Sequence, residues 1–238
     1  MSIIVSVYCN EGIVLASDSR ITLSNTKRES NGTHIHLAIG QSDSNYKTFL
    51  AGNIGISFCG DSDIKGVPIS GYIEAFIGDY ITKDTCVSEV PDLLLKYFND
   101  FDVVPDSNFF VAGYTNLTNE QVVYGVYIKR QNFEQLAADQ GTSWMGEADT
   151  LNKLLNPVYK KEGNVLGIEK YTELPFYSTE YNFFTLQDSI DFAVYAVKTT
   201  IDTMRFQTRP KTVGGPIDVL VIKPREAFWV QRKELHVR

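Results

Sequence analysis

Hydrophobic and polar positions alternate quickly at the start of this 238-residue chain and slowly farther on, which separates strands from helices. Two short apolar runs, 3–9 and 13–16, flank Asn10-Glu11-Gly12 and predict a tight β-hairpin. A polar stretch from Thr22 to Asn45 reads as a long loop or extended hairpin with a short strand over 34–39. A second strand pair, 47–50 and 54–59, turns through Ala51-Gly52-Asn53. Apolar residues Ile69, Tyr72, Ile73, Phe76, Ile77, Tyr80 and Ile81 then fall at helical spacing. A second helix is expected with Ser88 as its cap and Pro91 in its first turn, burying Leu94, Leu95 and Phe98.

Strands follow at 108–113, 122–129 and 133–137, and a short helix over 147–155 stops before Pro157. Residues 160–181 carry too weak a pattern to place. Thr185-Leu186-Gln187-Asp188 is a helix start with a Thr cap and an acid three residues on. It opens an amphipathic stripe of Leu186, Ile190, Ala193, Val194, Val197, Ile201 and Met204. Gly214-Gly215-Pro216 leads into a last strand pair, 217–222 and 227–231. Strands, two helices, strands, further helices and strands again make an α+β chain with antiparallel hairpins. No composition shift or repeat divides it, so one domain over 1–238 is the simplest expectation.

Composition removes several function classes. Net charge is −7, with a pI near 5.0, which argues against nucleic acid or an anionic membrane surface as partner. No apolar run approaches a membrane span, and no basic stretch precedes the first apolar residues as in a signal peptide. Three cysteines, Cys9, Cys59 and Cys86, read as reduced thiols, and a cytoplasmic location is the expectation. His34 and His36 share one face of a possible strand, but no third ligand stands near them. No metal and no cofactor are expected.

The candidate chemistry lies at the amino terminus. The hairpin brings Asp18-Ser19-Arg20 back beside Ser2, opposite Ser19 for a two-residue loop or opposite Arg20 for a three-residue one. Loss of Met1 would give Ser2 both a hydroxyl and a free α-amine. That amine titrates near roughly 7.7–8.0, so part of it is neutral at working pH and able to take the hydroxyl proton.

Ser2 to Val7, followed by Gly12-Ile13-Val14-Leu15-Ala16-Ser17-Asp18-Ser19-Arg20-Ile21-Thr22, resembles the amino terminus of proteasome β-type subunits. It is similar also to their bacterial relatives among the N-terminal nucleophile (Ntn) hydrolases. Lys47, the hairpin after it and Phe58-Cys59-Gly60-Asp61-Ser62-Asp63 before a long helix resemble that family's lysine strand and glycine turn. The helix from Leu186 and Gly214-Gly215-Pro216-Ile217-Asp218-Val219 look like its last core helix and following strand. The resemblance implies a four-layer αββα sandwich of two antiparallel sheets and hydrolysis of a peptide or other amide bond through an acyl-enzyme. It also implies homo-oligomers, often rings, and does not specify an ATPase partner.

By the same resemblance Ser2 is the nucleophile, Lys47 the ammonium that lowers the pKa of the amine, and Asp18 the acid that orients Lys47. The backbone N–H of Cys59 or of Gly60 would stabilise the oxyanion, with Ser19 and Arg20 in support. Two places depart from the family: its serine before Gly-Gly and its upstream acid are here Val213 and Pro210. The competing reading is a catalytically inactive member kept as an assembly or binding subunit.

Overall fold

A computed structural model describes residues 2–28, 34–116, 118–136, 139–165 and 168–235. The chain opens with β1 (Ile3–Cys9) and β2 (Gly12–Ser17), then β3 (Ile21–Arg28) and β4 (His34–Ser42). Next come β5 (Thr48–Ala51), β6 (Ile54–Gly60), the two-residue pair β7 (Asp63–Ile64) and β8 (Val67–Pro68), and the helices α1 (Ile69–Tyr80) and α2 (Val90–Asn99). The middle holds β9 (Ser107–Tyr114), β10 (Gln121–Tyr127), β11 (Asn132–Gln135), β12 (Gly141–Gly146) and α3 (Asp149–Leu155). The hairpin β13 (Tyr159–Val165) and β14 (Ile168–Glu173), the long helix α4 (Leu186–Phe206), and β15 (Asp218–Lys223) with β16 (Glu226–Gln231) complete the chain.

Two five-stranded sheets carry the fold, in the orders β12-β1-β2-β15-β16 and β11-β10-β9-β6-β5. Every pairing within them is antiparallel. Alternation along the strands sorts side chains into three apolar layers, because successive residues point to opposite faces. Ile3, Val5 and Val7 of β1 pack with α4 residues Ala193, Val197 and Met204. Ile4 and Tyr8 of the same strand turn the other way and meet Phe110, Ala112 and Cys59 of the second sheet. The outer face of that sheet, with Phe58 and Phe109, packs on Ile73 and Phe76 of α1 and Leu94 and Phe98 of α2. Helices outside, sheets inside: this is the expected α+β sandwich. Strands covered on both faces have no wet side, which is why β1 and β2 read as nearly continuous apolar runs.

Helix ends are partly as the sequence indicates. Thr185 caps α4 in a full capping box with Asp188. Of its predicted stripe, Ala193, Val197 and Met204 are buried, whereas Val194 and Ile201 sit at the edge of the contact. Ser88 does not cap α2; its hydroxyl donates to Cys86 Sγ, and Glu89 occupies the cap position, its carboxylate accepting from the Cys86 N–H rather than from the helix. Leu95 is only partly buried. The helix after β12 begins at Asp149, two residues later than expected.

The polar stretch after Arg20 is an extended hairpin, β3 with β4. Ala137, the expected end of a strand, and the side chains of His34 and His36 lie outside the described residues. Among the described residues no helix is long and apolar enough to cross a membrane.

Candidate active site at the amino-terminal hairpin

Cys9 pairs with Gly12 and Ile4 with Ser17, so the β1–β2 loop is the two-residue Asn10-Glu11 turn. Continuing that register sets residue 2 against Ser19. Asp18 N–H donates to the carbonyl of Ile3 at 3.3 Å, and Ile3 N–H donates to Asp18 Oδ1 at 3.1 Å. The same Oδ1 accepts from Lys47 Nζ at 2.7 Å. Both side chains are buried, 0% exposed for Asp18 and 1% for Lys47. Lys47 Nζ also donates to the carbonyl of Arg20 at 2.5 Å. Burial pushes the Lys47 ammonium below its ordinary pKa, and Asp18 opposes that shift without cancelling it.

Asp18 Oδ2 is equally occupied. It accepts from the backbone N–H of Arg20 at 3.1 Å and of Gly214 at 3.0 Å. Ser19 hydroxyl donates to the carbonyl of Pro216 at 2.6 Å, and Ser19 N–H to that of Gly214 at 3.0 Å. Arg20 forks onto Asp43 through Nε at 2.6 Å and Nη2 at 2.7 Å. Asp18-Ser19-Arg20 therefore ties the 214–216 turn to the amino terminus, and the Arg20 charge is met by Asp43.

Ser2 is 5% exposed and lines a narrow pocket with Arg20, Lys47, Phe58, Gly60 and Asp61. Ladder geometry separates the two oxyanion candidates. Phe58 N–H donates to the carbonyl of Lys47 at 2.9 Å, and successive N–H groups of a strand face opposite sides. The Cys59 N–H thus faces β9, where Cys59 is paired with Asn108. The Gly60 N–H turns back toward Lys47, beyond the start of β5. Gly60 has φ +118°, and a Cβ there would lie 2.2 Å from the carbonyl oxygen of Asp106. The Cys59 side chain is buried, and burial pushes its thiol up to about 12, so it is a packing residue.

Sequence reasoning missed Glu147. Its N–H donates to the carbonyl of Ser2 at 2.8 Å. Its carboxylate, 6% exposed, accepts from Thr212 Oγ1 and from Arg209 Nη1, each at 2.7 Å. Gly146 beside it has φ +97°, and a Cβ there would lie 1.9 Å from the Ser2 carbonyl oxygen. Val213, where the family carries serine, is buried against α4, and its N–H points to Met204 Sδ. A carboxylate and a hydroxyl, those of Glu147 and Thr212, thus pair on the segment whose backbone bonds the Ser2 carbonyl. The residue Gly-Glu at 146–147 gives no sign of this in the sequence, because its partners lie more than sixty residues away.

A larger cleft, about 780 Å³, lies at the other end of these strands, bounded by Asn53, Thr82, Thr115 and Arg225. It holds no side chain of the set around Ser2.

No family model matches the chain, and no curated protein matches it. Solved structures do. An Anbu (Gly-1) mutant from Hyphomicrobium sp. strain MC1 superposes with TM-score 0.58 at 12% identity, covering 96% of this chain and 85% of that one. Anbu, described as an ancestral beta-subunit, from Yersinia bercovieri gives TM-score 0.54 at 13% identity, covering 98% and 88%. At these identities the likeness establishes the fold: the chain has a proteasome-subunit-like sandwich.

Proposed function

We propose that the chain is an Ntn hydrolase that cleaves peptide or other amide bonds with Ser2 once Met1 has been removed. The supporting observation is the single oxygen, Asp18 Oδ1, that accepts both Lys47 Nζ and the N–H of Ile3. It fixes a buried ammonium against the backbone one residue from the nucleophile.

The chemistry follows from these positions. The α-amine of Ser2 takes the hydroxyl proton as Oγ attacks the substrate carbonyl carbon. Negative charge gathers on the carbonyl oxygen, where the Gly60 N–H is the donor; losing one such donor costs about 10²–10³ in rate. The amine then returns the proton to the leaving nitrogen as the C–N bond breaks. Water, deprotonated by the same amine, cleaves the Ser2 ester and regenerates the hydroxyl. Lys47 keeps the amine from holding its proton too tightly, by like-charge repulsion. Asp18 orients Lys47, while Ser19, Arg20 and Glu147 hold the backbone around it. No cofactor enters this scheme. The working unit is proposed to be a homo-oligomer, possible as a ring, located in the cytoplasm.

The test is the intact mass of protein isolated from its native host, followed by reaction with an epoxyketone or acylating probe. A mass lacking methionine, with an adduct on Ser2 that disappears in Ser2→Ala, is the expected result. Complete retention of Met1 with no adduct overturns the proposal and leaves a catalytically silent assembly subunit.

A further inference from the structure

Two lysine–carboxylate pairs are buried near one another between the sheets, and only Lys47–Asp18 enters the scheme above. The second joins Lys233, in the tail after β16, to Asp218 at the head of β15. The Lys233 side chain is 5% exposed and that of Asp218 0%. The backbone N–H of Lys233 also donates to Asp218 Oδ1 at 2.8 Å, so main chain and side chain fasten the tail to one acid. Asp218 is the cross-strand partner of Ser17, the residue before Asp18. The two acids therefore stand one step apart on adjacent strands.

From the other sheet, Tyr46 covers the tail. Its hydroxyl donates to the carbonyl of Lys233 at 3.2 Å, and its ring lies 4.4 Å from the Lys233 ammonium. Arg232 stacks on the same ring at 4.8 Å. Tyr46 precedes Lys47 in the chain. The tail thus touches the segment carrying Lys47 on one side and the strand row carrying Asp18 on the other. A buried ion pair is a poor anchor, since desolvation takes back much of its attraction. A full charge kept in this place acts on the charges beside it.

We propose that Lys233 is a positioning residue of the candidate site: paired with Asp218 and seated on Tyr46, it fixes the Lys47 segment and sets its electrostatic surroundings. This rests on the reading that Lys47 serves Ser2. The charged or titratable groups facing Lys47 are Asp18, Cys59 and Lys233; Arg20 offers it only a carbonyl. Those facing Lys233 are Asp218, Asp18, Arg232, Tyr46 and, in return, Lys47. Burial is the first cause of the lowered Lys47 pKa, and the Lys233 charge adds to it.

The full chain, labelled with ¹³C and ¹⁵N in its lysine side chains, is titrated by NMR, with the Lys47 signal assigned from Lys47→Arg. Lys233→Met is expected to move the Lys47 midpoint upward, to higher pH, because a neighbouring like charge is removed. Lys233→Gln, which can still donate a hydrogen bond to Asp218, is expected to do the same, and Lys233→Arg to keep the original midpoint. An unmoved midpoint in either folded neutral variant overturns the proposal, as does an equal shift in Lys233→Arg. Loss of folding in both neutral variants also overturns it, because the pair is then a structural staple alone. A Lys47 shift in a protein whose Ser2 accepts no probe upholds the coupling of Lys233 to Lys47 and removes the hydrolase reading, and with it the positioning role.

Discussion

Replacing Asp18 with Asn keeps the side chain's shape and removes its charge, leaving Lys47 as a buried cation beside a neutral amide. Breaking a buried pair from one side costs about 3–5 kcal/mol, so Asp18→Asn should lower the urea midpoint sharply and abolish any Ser2 adduct. Gly146→Ala is expected to misplace Ser2 through the 1.9 Å approach of the new Cβ to its carbonyl oxygen. Its signature is loss of probe labelling greater than its loss of stability. The cysteines offer a third check. Cys86 has a lowered pKa, chiefly because Ser88 donates to its sulfur, while Cys59 is pushed up to about 12. Iodoacetamide at pH 8 should therefore modify Cys86 in the folded protein and reach Cys59 only after denaturation, as read by peptide mass. Asp18 and Lys47 were legible as a candidate pair through the family resemblance. Glu147 and Lys233 were not, because each acquires its meaning from a partner brought close only by folding.

Among elements, those with strong local signals were the readable ones. Thr185 and Asp188 form their capping box inside four residues, so the start of α4 could be placed in advance. Thr185→Ala should cost about 1 kcal/mol, measured as a fall in denaturation midpoint with no change in slope. Strand β12 was missed: Gly-Thr-Ser-Trp-Met-Gly offers little alternation, and it is held by pairing with β1. The β13–β14 hairpin was unreadable for another reason. Every residue of β14 is exposed, so burial imposes no periodic choice of side chain. Ser88 failed as a cap because the helix starts one residue later than expected, with Glu89 at the cap position.

The whole molecule keeps its three apolar layers inside yet leaves large hydrophobic groups outside. Ile168 is 74% exposed, Tyr177 91% and Phe183 83%, all in the stretch between β13 and α4. For the proposed homo-oligomer these side chains are the contact surface to test. The chain is expected to elute above its monomer mass of 26.8 kDa in light-scattering chromatography. Tyr177→Ser with Phe183→Ser should shift it toward the monomer without lowering its melting temperature.

Four donors from four stretches of chain converge on the Asp18 carboxylate: Ile3, Arg20, Lys47 and Gly214. Such a hub cannot let go of one arm and keep the rest in place, so these distant stretches must loosen in concert. Hydrogen–deuterium exchange would register this as a single shared opening constant for the amides of Ile3, Arg20 and Gly214.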